Sequence, residues 1–116
     1  KSVINSENLI EIGNSAFASS PLESFIFSPK LQTISTSAFS NTLISELKLP
    51  EDLIHIKSNA FTDTPLKKVT LPPKLEEIGA SAFQNTRLTE ITTPPTLKAL
   101  GTGAFSEIPT LIRAQL

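Results

Sequence analysis

The chain has 116 residues, a formal net charge of −1 and no cysteine. This near-neutral charge excludes a general electrostatic attraction to nucleic acids or anionic membranes, and the absence of cysteine excludes disulfides and thiolate metal sites. No run of apolar residues approaches the roughly 18 that a membrane-spanning helix needs.

A repeat of 22 residues organises the sequence. Phenylalanine recurs at positions 17, 39, 61, 83 and 105, and alanine precedes it each time. A unit this short cannot bury its own apolar side chains, so it becomes stable only by stacking on its neighbours. The spacing predicts one repeat array, with units near 9–30, 31–52, 53–74, 75–96 and 97–116.

Each unit is predicted to hold one short strand, where apolar and polar residues alternate after the phenylalanine. In chain order the strands lie near 25–27, 47–49, 69–71, 91–93 and 113–116, and proline follows the first four. Proline ends them because it has no N–H to donate to a ladder. Each unit has seven inward positions: two in the strand, the Ala-Phe pair, and three others that hold leucine or isoleucine. Of the 35 inward positions in the five units, 34 are apolar, and Thr93 is the exception.

The Ala-Phe side of each unit is predicted to form a short helical turn. Good helix N-caps occupy four of the five positions three residues before the phenylalanine, namely Asn14, Thr36, Ser58 and Thr102, with Ala80 in the other. Proline at 21, 65 and 109 would close three of these turns. Glycine at 13, 79 and 101 shares its column with Ser35 and Lys57, so a positive φ is not compulsory there.

One strand and one helical turn per unit predict a right-handed α/β solenoid of the leucine-rich repeat type. It would have five 22-residue units, a parallel sheet on one face and short helical turns on the other. A parallel β-helix with coils of similar length is the alternative. It should show strand alternation on two or three sides, and the Ala-Phe side does not alternate.

Two units as they stand, LQTISTSAFSNTLISELKLPED and LEEIGASAFQNTRLTEITTPPT, resemble the BspA-type leucine-rich repeat of bacterial surface proteins. That family often places cysteine three residues after the phenylalanine, where this chain has Ser20, Thr42, Thr64, Thr86 and Ile108. A column of hydroxyls can still bond backbone groups in the turn. The resemblance implies an adhesin-like interaction protein of bacteria or some protozoan parasites, secreted or at the cell surface.

The two ends of the chain suggest a longer array. Val3 falls in the strand column of a preceding unit, and Leu116 stops inside the last predicted strand. Natural solenoids carry polar capping units, so this sequence is expected to be a piece of a longer protein. Uncovered strand edges invite pairing with another chain, which predicts self-association through a terminal strand.

No catalytic or metal-binding constellation emerges from the sequence. His55 is the only histidine and stands in the variable column of Glu11, Thr33, Glu77 and Ala99. The acidic pairs at 51–52 and 76–77 lie in loops, where adjacent carboxylates usually diverge. Asp63 could contribute to a calcium site, but calcium needs several oxygen ligands. Among the equivalent positions of the other units only Glu107 is a carboxylate, so the sequence does not predict such a site. The sequence predicts a protein that is not an enzyme and has no cofactor.

The exposed face of the predicted strands is the candidate binding site, because side chains alternate along a strand and solenoids bind through such faces. Its residues are Ser24, Ile26, Glu46, Lys48, Lys68, Thr70, Glu90, Thr92, Arg113 and Gln115. The run Glu46, Lys68, Glu90 and Arg113 alternates in sign, which predicts neighbouring opposite charges and a nearly neutral face. Ile26, together with Ile4 in the preceding partial unit, would then form a small apolar contact.

The leading prediction is a non-catalytic module for protein–protein or cell-surface interaction through this face. The alternative is a structural spacer in a larger modular surface protein. An enzymatic role would require a second domain.

Overall fold

A computed structural model describes residues 2–4, 8–111 and 113–115 of the chain, with the side chains of 8–111. Within these residues two kinds of short strand alternate along the chain. The three-residue strands are β1 (Ser2–Ile4), β3 (Ser24–Ile26), β5 (Glu46–Lys48), β7 (Lys68–Thr70), β9 (Glu90–Thr92) and β11 (Arg113–Gln115). The two-residue strands are β2 (Glu11–Ile12), β4 (Thr33–Ile34), β6 (His55–Ile56), β8 (Glu77–Ile78) and β10 (Ala99–Leu100).

Every ladder is parallel and joins a strand to its counterpart in the next unit. The two-residue strands form one continuous five-stranded sheet, in the order β10-β8-β6-β4-β2, which we call the second sheet. The three-residue strands, which we call the first strand series, form three separate pairs: β1-β3, β5-β7 and β9-β11. The solenoid with parallel strands is therefore confirmed.

The second sheet was not predicted, so the expectation of strands on one face alone was wrong. Its strands were hidden because the pattern leucine, two variable residues, isoleucine places apolar residues three apart. A strand of two residues has only one inward and one outward side chain, as Glu11 and Ile12 show, and two residues are too few to display alternation. Strands therefore line two sides of the coil, as the β-helix alternative would require, but the Ala-Phe side carries none among the described residues.

The predicted helical turns on the Ala-Phe side were wrong, because the described residues contain no helix. Tight turns take their place. In the first unit the N–H of Ala16 donates to the carbonyl of Gly13, and that of Ala18 donates to Ser15, each at 3.2 Å. The intervening N–H groups of Ser15, Phe17 and Ser19 donate to the next unit at 2.8–2.9 Å. Because alternate donors leave the unit, an α-helical ladder cannot form.

Each turn uses two residues in the left-handed region, two positions before and two positions after the phenylalanine. They are Ser15, Ser19, Ser37, Asn41, Asn59, Asp63, Ser81, Asn85, Gly103 and Glu107, with φ between 54° and 70°. A positive φ at the third residue of the first turn is what a type II turn requires. The glycine column at 13, 79 and 101 takes no positive φ, as expected.

The five phenylalanines form a stacked column inside the coil. Successive ring centroids from Phe17 to Phe105 lie 5.3–5.4 Å apart, with interplanar angles of 3–13°. Phe39, Phe61 and Phe83 are fully buried. The centroid distance exceeds the strand spacing of about 4.8 Å, as expected of rings that stack with an offset.

The hydroxyl column beside the rings satisfies the turn carbonyls, as predicted. Thr42, Thr64 and Thr86 are buried, and each hydroxyl donates to the carbonyl of the phenylalanine three residues earlier at 3.0 Å. Ser20, in the same column, has a buried hydroxyl without a hydrogen-bond partner. The column therefore stabilises the three inner turns but not the first one.

Candidate functional site

The predicted binding residues lie on the outward side of the first strand series. Strands β3, β5 and β9 show the exposed–buried–exposed pattern, and β7 differs only in that Val69 is half-buried. The exposed members are Ser24, Ile26, Glu46, Lys48, Lys68, Thr70, Glu90 and Thr92. Arg113 and Gln115 belong to β11, but their side chains lie outside the described residues, as does that of Ile4 in β1. We call the eight described side chains the first face.

The backbone register brings the predicted columns together in pairs. Glu46 lies opposite Lys68 in the β5–β7 ladder, and Glu90 lies opposite Arg113 in the β9–β11 ladder. Among the described residues, no strand ladder joins β3 to β5 or β7 to β9. Single backbone bonds, from Leu43 to Leu22 and from Arg87 to Leu66, connect those units just before the strands. The parallel strands predicted for this face are therefore present, but they are divided into separate pairs.

The predicted ion pairs of Lys68 with Glu46 and Glu90 do not form, and the predicted Glu90–Arg113 pair involves a side chain outside the described residues. In the part of the chain with described side chains, no carboxylate oxygen lies within 4.0 Å of the Lys48 or Lys68 nitrogen, and Glu46 and Glu90 are equally unpaired. Correct register was insufficient because long exposed side chains gain little from one fixed pairing. The charges of Glu46, Lys48 and Lys68 therefore have no ion-pair partner among the described side chains and are available to an external group.

Charges outside the first face are paired in several places. Lys74 lies 3.0 Å from Asp52, and Lys98 lies 3.8 Å from Glu76. On the second sheet, Glu11 accepts a hydrogen bond from the hydroxyl of Ser35 at 3.0 Å.

His55 belongs to the largest of these clusters. Its Nδ1 lies 2.9 Å from a Glu77 oxygen, which also accepts from the Lys57 ammonium at 3.1 Å. Partial burial acts to raise the pKa of Glu77, but the hydrogen bonds from Lys57 and His55 and the electrostatic attraction of these two partners outweigh it and leave that pKa below its ordinary value. A carboxylate held in its charged form by two partners is an ion-pair cluster on a surface strand, consistent with the prediction that His55 is surface decoration. The 22-residue spacing of His55 and Glu77 was the signal that could have revealed the pair.

No group of three or more potential metal ligands occurs among the described residues. The Asp63 carboxylate accepts a hydrogen bond from the Asn85 amide at 2.8 Å, which gives it a structural role in the turn column. Across the same part of the chain, no helix exists that could cross a membrane.

Several open grooves lie along the outward side of β3, β5, β7 and β9, and two of them border both β5 and β7. One, of about 610 Å³, runs beside the strand ends and is lined mainly by apolar residues. Its apolar residues are Leu47, Leu49, Val69, Leu71, Pro72 and Pro73. The other, of about 770 Å³, lies where the chain enters β7 and β9 and contains Lys67, Lys68 and Arg87. We call this second one the basic groove.

Large apolar side chains are exposed on both sides of the coil. Ile26 is 57% exposed and lies on the first face, as predicted. Ile10 is 55% exposed and lies next to the second sheet, and Leu43 and Leu100 are also exposed. Sequence reasoning missed Ile10 because it did not recognise the second sheet.

The model of the BspA-type leucine-rich repeat region matches residues 1–112 in six copies. No curated protein sequence matches the chain. Three crystal structures share its fold. A leucine-rich repeat protein from Bacteroides ovatus ATCC 8483 superposes with a TM-score of 0.91 at 23% identity, over 99% of this chain and 33% of that one.

The leucine-rich repeat protein TpLRR of T. pallidum gives a TM-score of 0.86 at 23% identity, over 99% of this chain and 58% of that one. The pneumococcal vaccine antigen PcpA gives 0.86 at 27% identity, over 97% of this chain and 29% of that one. The chain therefore spans between 29% and 58% of the length of these three proteins.

Proposed function

The chain belongs to the BspA-type leucine-rich repeat family, and we propose that it is a non-catalytic, adhesin-like module that binds a protein or a cell surface through the first face. The repeat fold supports an interaction role in general, because solenoids present extended surfaces built from equivalent positions of successive units. The similarity to a pneumococcal vaccine antigen supports a secreted or surface location. Self-association through a terminal strand stays a prediction.

The distribution of ion pairs favours the first face as the binding surface. Glu46, Lys48, Lys68 and Glu90 have no ion pair among the described residues, whereas Glu11, Lys57 and Glu77 around the second sheet are bonded to one another or to their neighbours. A partner that approaches the second sheet must first break these contacts. A partner that approaches the first face finds free charged groups together with the exposed Ile26.

We expect Ile26 to contribute more to the affinity than any single charge of this face. Burying an isoleucine side chain contributes about 1.5–3 kcal/mol, whereas an exposed ion pair contributes about 0–1 kcal/mol. The alternative function, a spacer in a larger surface protein, predicts that neither change affects any binding.

The test is a screen of the isolated chain against an array of purified extracellular and cell-surface proteins, followed by affinity measurements on each ligand found. Ile26→Ser should weaken binding at least tenfold, and Lys68→Ser only a few fold. Ile10→Ser is the matched control, because Ile10 is equally exposed but lies outside the first face. Equal losses for Ile26→Ser and Ile10→Ser would overturn the choice of face, and an array without any ligand would favour the spacer.

A further inference from the structure

The basic groove collects positive charge at one edge of the first face. Lys67 directly precedes β7, Lys68 begins it, and Arg87 lies three residues before β9. All three side chains are exposed and line one groove of about 770 Å³. They come from two consecutive units, so stacking of the units is what brings them together.

None of these three cations has an ion pair with a carboxylate among the described residues. By contrast, Lys57, Lys74 and Lys98 each lie within 4.0 Å of a glutamate or aspartate. An external carboxylate can therefore bind in the groove without displacing an internal one. Arg87 adds a planar guanidinium, which can hold a carboxylate by two parallel hydrogen bonds.

The groove also contains two carboxylates, Glu46 and Glu90. A polyanion with a negative charge on every monomer, such as a nucleic acid or a sulfated glycan, would place some of its charges next to these two carboxylates. A polypeptide can separate its carboxylates with uncharged residues and so avoid this repulsion. Pro65 and Val69, which line the same groove, offer apolar surface to the residue between two such carboxylates.

The repeat geometry fits an extended segment. Alternate side chains of an extended chain point to the same side and are separated by about 6.7 Å. Lys67 and Arg87 lie on neighbouring units, whose strands are about 4.8 Å apart, and Arg87 stands two residues before Thr89, the counterpart of Lys67. The two cations are therefore separated both across and along the strands, by more than the strand spacing, and their long side chains can adjust to the spacing of the two carboxylates. We propose that the basic groove binds an extended polypeptide segment of the partner in which carboxylates alternate with uncharged residues.

This proposal rests on the interaction function proposed above and adds the chemistry of the partner. It can be tested without the natural partner, using a synthetic pentapeptide that has a leucine at its centre, one glutamate on each side of the leucine and an uncharged residue at each end. Its twin carries glutamine in place of glutamate. Each peptide is titrated into the 15N-labelled chain at low salt, and amide chemical shifts give both the affinity and the location of binding.

The glutamate peptide should shift amides near residues 65–68 and 87–90, and raised salt should weaken it. Each exposed ion pair changes affinity by up to about fivefold, so the glutamine twin should bind several-fold more weakly. The double change Lys67→Ser with Arg87→Ser should produce a similar loss. The matched control is Lys74→Ser with Lys98→Ser, which removes the same charge from other surfaces and should leave binding unchanged.

Equal losses for the two double variants would show a general charge effect and would overturn the proposal. So would equal binding of the glutamine twin. A heparin oligosaccharide that shifts the same amides while the glutamate peptide does not would replace the polypeptide by a polyanionic glycan. These outcomes are separate from the interaction function, because loss of the peptide would not alter a ligand that depends on Ile26.

Discussion

The stacked phenylalanine column makes truncation of Phe61 the sharpest test of the fold. Phe61 is fully buried, and its ring is stacked on Phe39 and Phe83 with 5.4 Å between centroids on each side. Phe61→Ala should cost about 3–5 kcal/mol through lost burial and the cavity left behind. Two ring contacts disappear as well, and each is worth roughly 0.5–1.5 kcal/mol beyond area burial, so the upper half of the range is expected.

Phe105 provides the comparison within the same column. It is only partly buried, and among the described rings it stacks on Phe83 alone. Phe105→Ala should therefore cost clearly less than Phe61→Ala. Urea unfolding followed by circular dichroism measures both losses, provided that each variant unfolds in one transition, since long arrays can lose cooperativity. Small and equal losses at the two positions would refute the continuous stacked core.

Three further changes probe the turns and the second sheet. Gly79→Ala should cost about 1–3 kcal/mol, because an added Cβ would lie within 3.0 Å of the backbone at residues 57–58. In Gly13→Ala the added Cβ would meet no atom within 4 Å, so this control should be neutral in the same unfolding assay. Thr64→Val should cost about 1–3 kcal/mol by leaving the Phe61 carbonyl without its hydroxyl donor; Ser20→Ala removes a hydroxyl that has no partner and should not destabilise. Because the pKa of Glu77 is lowered in the folded state, its stabilisation is present above the ordinary carboxyl pKa and is lost as pH falls through the lowered value. The stability difference between neutral and acidic pH should therefore shrink by up to about 1 kcal/mol in Glu77→Gln, and an unchanged pH profile would contradict this cluster's role.

The repeat made the core predictable from sequence. Every unit offers the same columns, so a 22-residue period identifies inward positions such as Phe61, Leu66 and Ile78 without knowledge of the backbone. The strand register followed for the same reason, and Glu46 indeed lies opposite Lys68. The family resemblance is confirmed by the match over residues 1–112.

The turns could not be predicted because their conformation depends on the neighbouring unit. Ser, Asn and Asp at positions such as 15, 59 and 63 favour both helix N-caps and left-handed turn positions. The choice is made by hydrogen bonds from alternate N–H groups to the next unit, as from Phe17 to Ala38 at 2.8 Å. A sequence pattern within one unit carries no information about those bonds. Ion pairs between exposed side chains could not be predicted from the register alone either. Lys68 lies opposite Glu46, but the two side chains do not form an ion pair.

The division of hydrogen bonding between the two sides of the coil explains how the first face can vary without loss of the fold. The second sheet is continuous through five strands, and each of the inner Ala-Phe turns sends three N–H groups to the next unit. Adjacent units are therefore held together even where the first strand series has no ladder, between β3 and β5 and between β7 and β9. Residues such as Ile26, Lys48 and Thr70 take no part in either set of contacts. Their identity is consequently free to be set by a partner, while the phenylalanine column and the turns maintain the array.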